Sequence, residues 1–216
     1  MFGSFLTFCE NKNIQYIKGE NNLVSPKDSE VGVPEVTIQD TLFFKETFQI
    51  DDVENECLIE RLKPIRENFK RINSKTEWTT VLKKDLWEST EGGEVRYYYS
   101  GDSLEKIVVR YFGEMGQNLI EYYLIKGEIS FVFEKSYEYN RPFYWDSLKM
   151  KEFKDNQTFD FDKSNIYELR SYFEQGILIH QLNDKDTSLI HTDDYLMQEQ
   201  KRITMEFNKL IEISNE

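Results

Sequence analysis

Between Glu94 and Lys135 the chain reads EVRYYYSGDSLEKIVVRYFGEMGQNLIEYYLIKGEISFVFEK, with runs of β-branched and aromatic residues separated by turn clusters at residues 100–103, 113–116 and 126–127. That alternation predicts an antiparallel meander. Taking every second position, one face carries Val95, Tyr97, Tyr99, Ile107, Val109, Tyr111, Ile120, Tyr122, Leu124, Ile129, Phe131 and Phe133. A surface so apolar must be covered. The other face carries Glu94, Arg96, Tyr98, Lys106, Val108, Arg110, Glu121, Tyr123, Ile125, Val132 and Glu134, a mixture of charges, tyrosines and aliphatics.

Upstream, Val53, Cys57, Leu58, Leu62, Ile65, Phe69 and Ile72 recur at helical spacing and predict a helix over residues 51–73. Its acids come first and its bases last, as the helix dipole favours. This helix is the expected cover for the apolar face, Cys57 is expected to be a buried inert thiol on its stripe, and Pro64 is expected to kink the helix or break it in two near Leu62. Residues 78–90 predict a strand or short connector, residues 167–182 a hairpin about Glu174–Gly176, and residues 193–213 a second helix with Thr192 as N-cap and Leu196, Ile203, Phe207 and Leu210 as its stripe. The aromatic, acidic stretch 143–165 predicts no element. The fold class is therefore α+β, a curved antiparallel meander packed against a helix from the first half of the chain and a C-terminal helix. Residues 1–34, polar and broken by Gly19, Pro26 and Pro34, read as a flexible arm; residues 35–216 read as a single domain opening with strands near Val36–Phe44.

Composition sharpens this outline. The 216 residues include 16 Phe, 13 Tyr and 3 Trp, so the core is expected to be aromatic. No stretch reaches the roughly 20 apolar residues that span a bilayer. Net charge is −13, which argues against nucleic acid as a partner; residues 61–84 form a local basic run that either receives an anion or an acidic neighbour or, on the plainer reading, complements acidic segments of the chain itself. With only Cys9 and Cys57 there is no disulfide framework. The opening MFGSFLTFC turns polar directly after Cys9, as the end of a lipoprotein signal does; lipidation of Cys9 is one expectation and an ordinary first strand or frayed terminus the other.

The candidate chemistry is sparse. There is no phosphate loop, no nucleophile elbow and no zinc-binding helix motif, and no cofactor or metal is called for. His180 falls on a strand between apolar neighbours and reads as structural; His191 precedes the last helix. Asp184, Asp186 and Ser188 begin like a calcium loop, but Leu189 and Tyr195 occupy the glycine and glutamate positions. What remains is the mixed face. Glu94-x-Arg96-x-Tyr98 recurs as Glu168-x-Arg170-x-Tyr172, with Glu121-x-Tyr123 a partial copy. Arg96, Tyr98, Arg110, Tyr123, Arg170 and Tyr172 are the candidate binding residues, since guanidinium forks and tyrosine rings suit an anion or a carbohydrate. The plain alternative is a cross-strand ladder of Arg–Glu pairs.

The motifs TEGGE, RYFGE-x-GQ, EYYL, SFVFEK and YNRP, spread over residues 51–182, resemble a family of uncharacterised proteins from Bacteroidota, many of which carry a lipoprotein signal. The resemblance implies the periplasmic side of a bacterial envelope and a lipid anchor at Cys9, the alternative being a cytoplasmic protein; it carries over no catalytic residue. The leading functional expectation is a non-enzymatic binding module whose ligand is a protein or a small anionic or carbohydrate molecule. The alternatives are a hydrolase or transferase built on Glu94, Glu121 and Glu168, and an inhibitor or immunity protein whose acidity matches a basic partner.

Overall fold

The computed structural model describes residues 56–87, 91–183 and 192–215, all within the compact unit Asp51–Glu216. The expected features at Cys9, Val36–Phe44, Asp184–Ser188 and His191 lie outside the described residues. The elements are helix α1 (Glu56–Asn73), strands β1 (Thr80–Leu86), β2 (Gly93–Ser100), β3 (Ser103–Gly113), β4 (Gly116–Ile125) and β5 (Glu128–Glu138), a short helix α2 (Ser147–Glu152), a 3-10 turn (Phe161–Lys163), strands β6 (Asn165–Glu174) and β7 (Ile177–Asn183), and helix α3 (Asp193–Asn215). The strands form one open antiparallel sheet in the order β1-β2-β3-β4-β5-β6-β7. Every strand pairs with its neighbour in sequence, which is the meander the hydrophobic pattern predicts.

Turn chemistry sets the register. Lys126-Gly127 and Gln175-Gly176 both have positive φ at two successive residues, the conformation of the tight hairpin turn whose twist matches the strands. At Gly93 a Cβ would lie 2.6 Å from the Arg110 carbonyl oxygen, so only glycine lets β2 begin this close to β3.

Helix α3 covers the first face. Along its length Tyr195 donates from its hydroxyl to Gln181 on β7 (2.7 Å), Arg202 reaches Glu134 on β5, Phe207 packs on Tyr122 of β4 (5.6 Å), Glu206 meets Tyr111 of β3, the Leu210 carbonyl accepts from the Tyr97 hydroxyl of β2 (2.6 Å), and the Ile213 carbonyl accepts from Lys84 of β1 (2.6 Å). The helix thus traverses the whole sheet. Its 23 residues make that possible: at about 1.5 Å per residue it is about 34 Å long, against about 29 Å for six spacings of ~4.8 Å. Ile203 and Leu210 fill the core with Val95, Tyr97, Ile107, Val109, Tyr122 and Leu124. Thr192 caps it as expected, its side chain accepting from the Tyr195 amide and its carbonyl from that of Leu196.

Helix α1 lies on the opposite face, not over the apolar one as the sequence suggests. Phe69 packs on Tyr123 (4.8 Å) and Phe131 (5.4 Å), Asn68 reaches the β4–β5 junction, and Arg61 pairs with Glu174 at the end of β6 (2.6 Å). The cause is a β-bulge. The register shifts between Tyr123 and Leu124 so that Leu124 faces Ile129 while Tyr123 faces Phe131, leaving Ser130 as an extra residue. Beyond it Phe131 and Phe133 fall on the mixed face and Val132 and Glu134 on the other, the reverse of strict alternation. The mixed face gains a second aromatic core and with it the need for a second cover. The helix also runs unbroken through Pro64. Pro64 and Glu60, whose carbonyl loses its donor, are both exposed, so the carbonyl is not left in an apolar core. Cys57 is exposed, not buried on the stripe, which runs instead through Leu62, Ile65 and Ile72. The stretch 143–165, for which the sequence predicts no element, holds α2, capped by the Asp146 carboxylate at the amides of Leu148 and Lys149, and the 3-10 turn, and its Asp155 pairs with Arg141 just upstream at 2.6 Å.

Candidate functional site

The six candidate residues do share one face, and the register orders them in rows. Tyr98, Lys106, Tyr123, Phe131, Tyr172 and His180 face one another across successive strands; so do Arg96, Val108, Glu121, Phe133 and Arg170; so do Glu94, Arg110, Leu119, Lys135 and Glu168. Strands β2, β4 and β6 run in the same direction in a meander, so a motif repeated on them places like residues in the same row. The tyrosine row is an aromatic layer beneath α1, with Phe131 and Tyr172 centroids 4.9 Å apart, Tyr172 stacked on His180 at 5.8 Å, and Lys106 over the Tyr123 ring at 4.7 Å. Tyr123 and Tyr172 are buried there, and His180 is part of the packing.

The Glu-x-Arg spacing puts both side chains on one side of a strand and they pair within it, Glu94 with Arg96 at 3.0 Å and Glu168 with Arg170 at 2.6 Å. Each carboxylate takes a second cation from a neighbouring strand, Lys83 at 2.7 Å and Lys135 at 3.4 Å. Glu121 pairs with Lys106 at 2.9 Å and accepts from the Tyr123 hydroxyl, which also reaches Asn73 at 3.1 Å. Glu105, the extra residue where the β2–β3 register shifts, takes both Arg71 (3.0 Å) and Lys75 from the end of α1. Burial raises the Glu105 pKa, but the hydrogen bonds from Lys75 and Arg71 outweigh it and the net shift is downward. Arg110, wholly buried at 0% exposure, donates to the Gln117 side chain at 3.2 Å.

On the strands of this face Lys83, Arg96, Lys106, Arg110, Lys135 and Arg170 are interspersed with Asp85, Glu94, Glu105, Glu121, Glu168 and Glu174, a charged belt to which Arg61 and Arg71 of α1, and Lys75 just beyond it, add further ion pairs. Its accessible margin lies at β1 and β2, where Lys83 is half exposed and Tyr98, its pKa raised by burial against the lowering effect of Arg96, packs on Trp78 at 5.3 Å.

Trp78 and Lys135 escape the motif search, and Lys83 and Lys106, visible in the basic run and on the mixed face, acquire their partners only through pairing across strands, which a single sequence leaves open. On the other side of the sheet a cleft of about 220 Å³ opens between α3 and strands β3 to β5. Among the described residues there is no group of three His, Cys, Asp or Glu side chains arranged to hold a metal ion, and no helix is long and apolar enough to cross a membrane. No known protein family, curated protein or solved structure matches the chain.

Proposed function

We propose that this chain is a non-enzymatic binding module of a bacterial cell envelope, acting on the periplasmic side, and that the accessible margin of the charged sheet face, at Lys83, Arg96 and Tyr98, receives an anionic partner. The observation that carries this reading is the β1–β2 margin, where half-exposed Lys83 stands in register with Arg96 and the Tyr98–Trp78 ring pair lies beside them. Ion pairing disfavours a hydrolase, because each of the three carboxylates is committed to a cation, Glu94 to Arg96, Glu121 to Lys106 and Glu168 to Arg170. The envelope setting rests on the polar switch after Cys9 and on the Bacteroidota resemblance.

Calorimetric titration with a hexaglutamate peptide and a sulfated disaccharide, over a range of salt, tests the reading. Binding is expected to weaken as salt rises. Lys83→Gln combined with Arg96→Gln is expected to lower affinity roughly tenfold or more. If neither probe binds, or the double variant binds as the parent does, the charged face is only a structural ladder.

A further inference from the structure

The sheet is open, and its two edges are not alike. At β7 the Leu178 amide donates to the Gln200 side chain of α3 (3.0 Å), so the helix engages that edge. At β1 the backbone of Thr80–Leu86 bonds to β2 alone among the described residues, and α1, which packs on β4, β5 and β6, leaves the strand clear. An edge of this kind turns alternate N–H and C=O groups outward, a template for one more strand.

The side chains of β1 indicate which strand it takes. Register with Tyr98, Arg96 and Glu94 puts Val81, Lys83 and Asp85 on the charged face, and Trp87 is next in phase. Asp85 stands beside Glu94 and forms no ion pair among the described residues, while Val81 is 47% and Trp87 85% exposed. Charges guard an edge strand against chance pairing, but an exposed valine and tryptophan do the opposite. The order apolar, cation, anion, apolar is its own antiparallel complement. Against a second copy related by a two-fold axis through Lys84, perpendicular to the sheet, Val81 faces Trp87 and Lys83 faces Asp85, and each pair occurs twice. Such an axis keeps like faces of the two sheets together, so it must pass through a residue; at Lys83 or Asp85 it would set like charges opposite each other, and at Leu82 it would leave Lys83 opposite Val81. On the α3 face Leu82 falls opposite Leu86. The two Lys84 side chains lie at the axis, but each donates to the Ile213 carbonyl of its own α3 (2.6 Å), at the negative end of the helix dipole.

We propose that two copies of this chain join β1 to β1, antiparallel and in this register, so that one sheet continues across the axis. The contact goes beyond the anionic-partner reading and does not rest on it; Arg96 and Tyr98, one strand in from the edge, stay open to that partner. A strand of seven residues makes a small interface, so a reversible dimer with Kd on the order of 10–100 μM is expected. Sedimentation equilibrium of the full chain without ligand, over a range of protein concentration, tests it. Lys83→Asp sets Asp against Asp across the axis and Asp85→Lys sets Lys against Lys, and each is expected to weaken dimerisation roughly tenfold or more while melting stays near that of the parent. Lys83→Asp combined with Asp85→Lys is expected to regain the parent's dimerisation, and an equimolar mixture of the two single variants to form heterodimers. The proposal is overturned if the parent stays monomeric up to about 1 mM, if either single variant dimerises as the parent does, or if the double variant and the mixture fail to restore association. Failure of the hexaglutamate peptide to bind leaves this result untouched, which separates the two readings.

Discussion

Asn68 shows how one side chain can hold a bulge. Its amide donates to the Leu124 carbonyl (3.0 Å) and the Ser130 hydroxyl (3.3 Å), its oxygen accepts from Arg71, and the residue is only 8% exposed. Those contacts satisfy backbone that the extra residue at Ser130 takes out of the ladder. Asn68→Ala should therefore cost about 1–3 kcal/mol, the penalty of leaving a buried carbonyl unpaired, read as a lower denaturation midpoint with an unchanged slope. A change below about 0.5 kcal/mol would mean that water replaces the amide without loss. Nothing in the sequence marks this role. Asn68 sits in the helical pattern between Glu67 and Phe69, and a polar residue on a stripe edge ordinarily reads as solvated.

At the scale of elements, the strands and both long helices are legible because each carries its own period and boundary. Thr192 opens α3, and glycines close the hairpins. What is not legible is which face each helix covers, because one extra residue at Ser130 inverts the remainder of β5 and divides the aromatic side chains between two faces. Pro64 is the reverse case, a strong local signal that tertiary packing overrides. The apolar stripe of α1 docks on both sides of it through Leu62 and Ile65, which are buried, so the helix continues despite the missing bond. Some local cost persists. Pro64→Ala is expected to stabilise the fold by about 2 kcal/mol, within the roughly 3 kcal/mol that separates the two residues in a helix interior. No gain in chemical denaturation would mean that the restriction proline places on the unfolded chain offsets the whole helical penalty.

Within the described residues, two helices crossing one sheet on opposite faces give three layers whose two sides differ in chemistry. One side holds the core under α3 and the cleft beside that helix; the other holds the aromatic layer under α1 and the charged belt. The candidate residues were visible in the sequence as a repeated Glu-x-Arg-x-Tyr pattern, and their common face followed from strand periodicity. Their ion-pair partners were not visible, because Lys83, Lys106 and Lys135 meet Glu94, Glu121 and Glu168 only through cross-strand pairing. The cleft was not visible either, since it combines residues of β3, β4 and β5 with residues 202 and 206, far along the chain. The central claim, that the accessible margin of the charged belt receives an anionic partner, is most directly tested by following the arginine Nε and backbone signals of the ¹⁵N-labelled protein as the hexaglutamate peptide is added. Saturable shifts at Lys83, Arg96 and Tyr98, diminishing as salt is raised, are the predicted result; shifts confined to the outer surface of α1, or none at all, would contradict it.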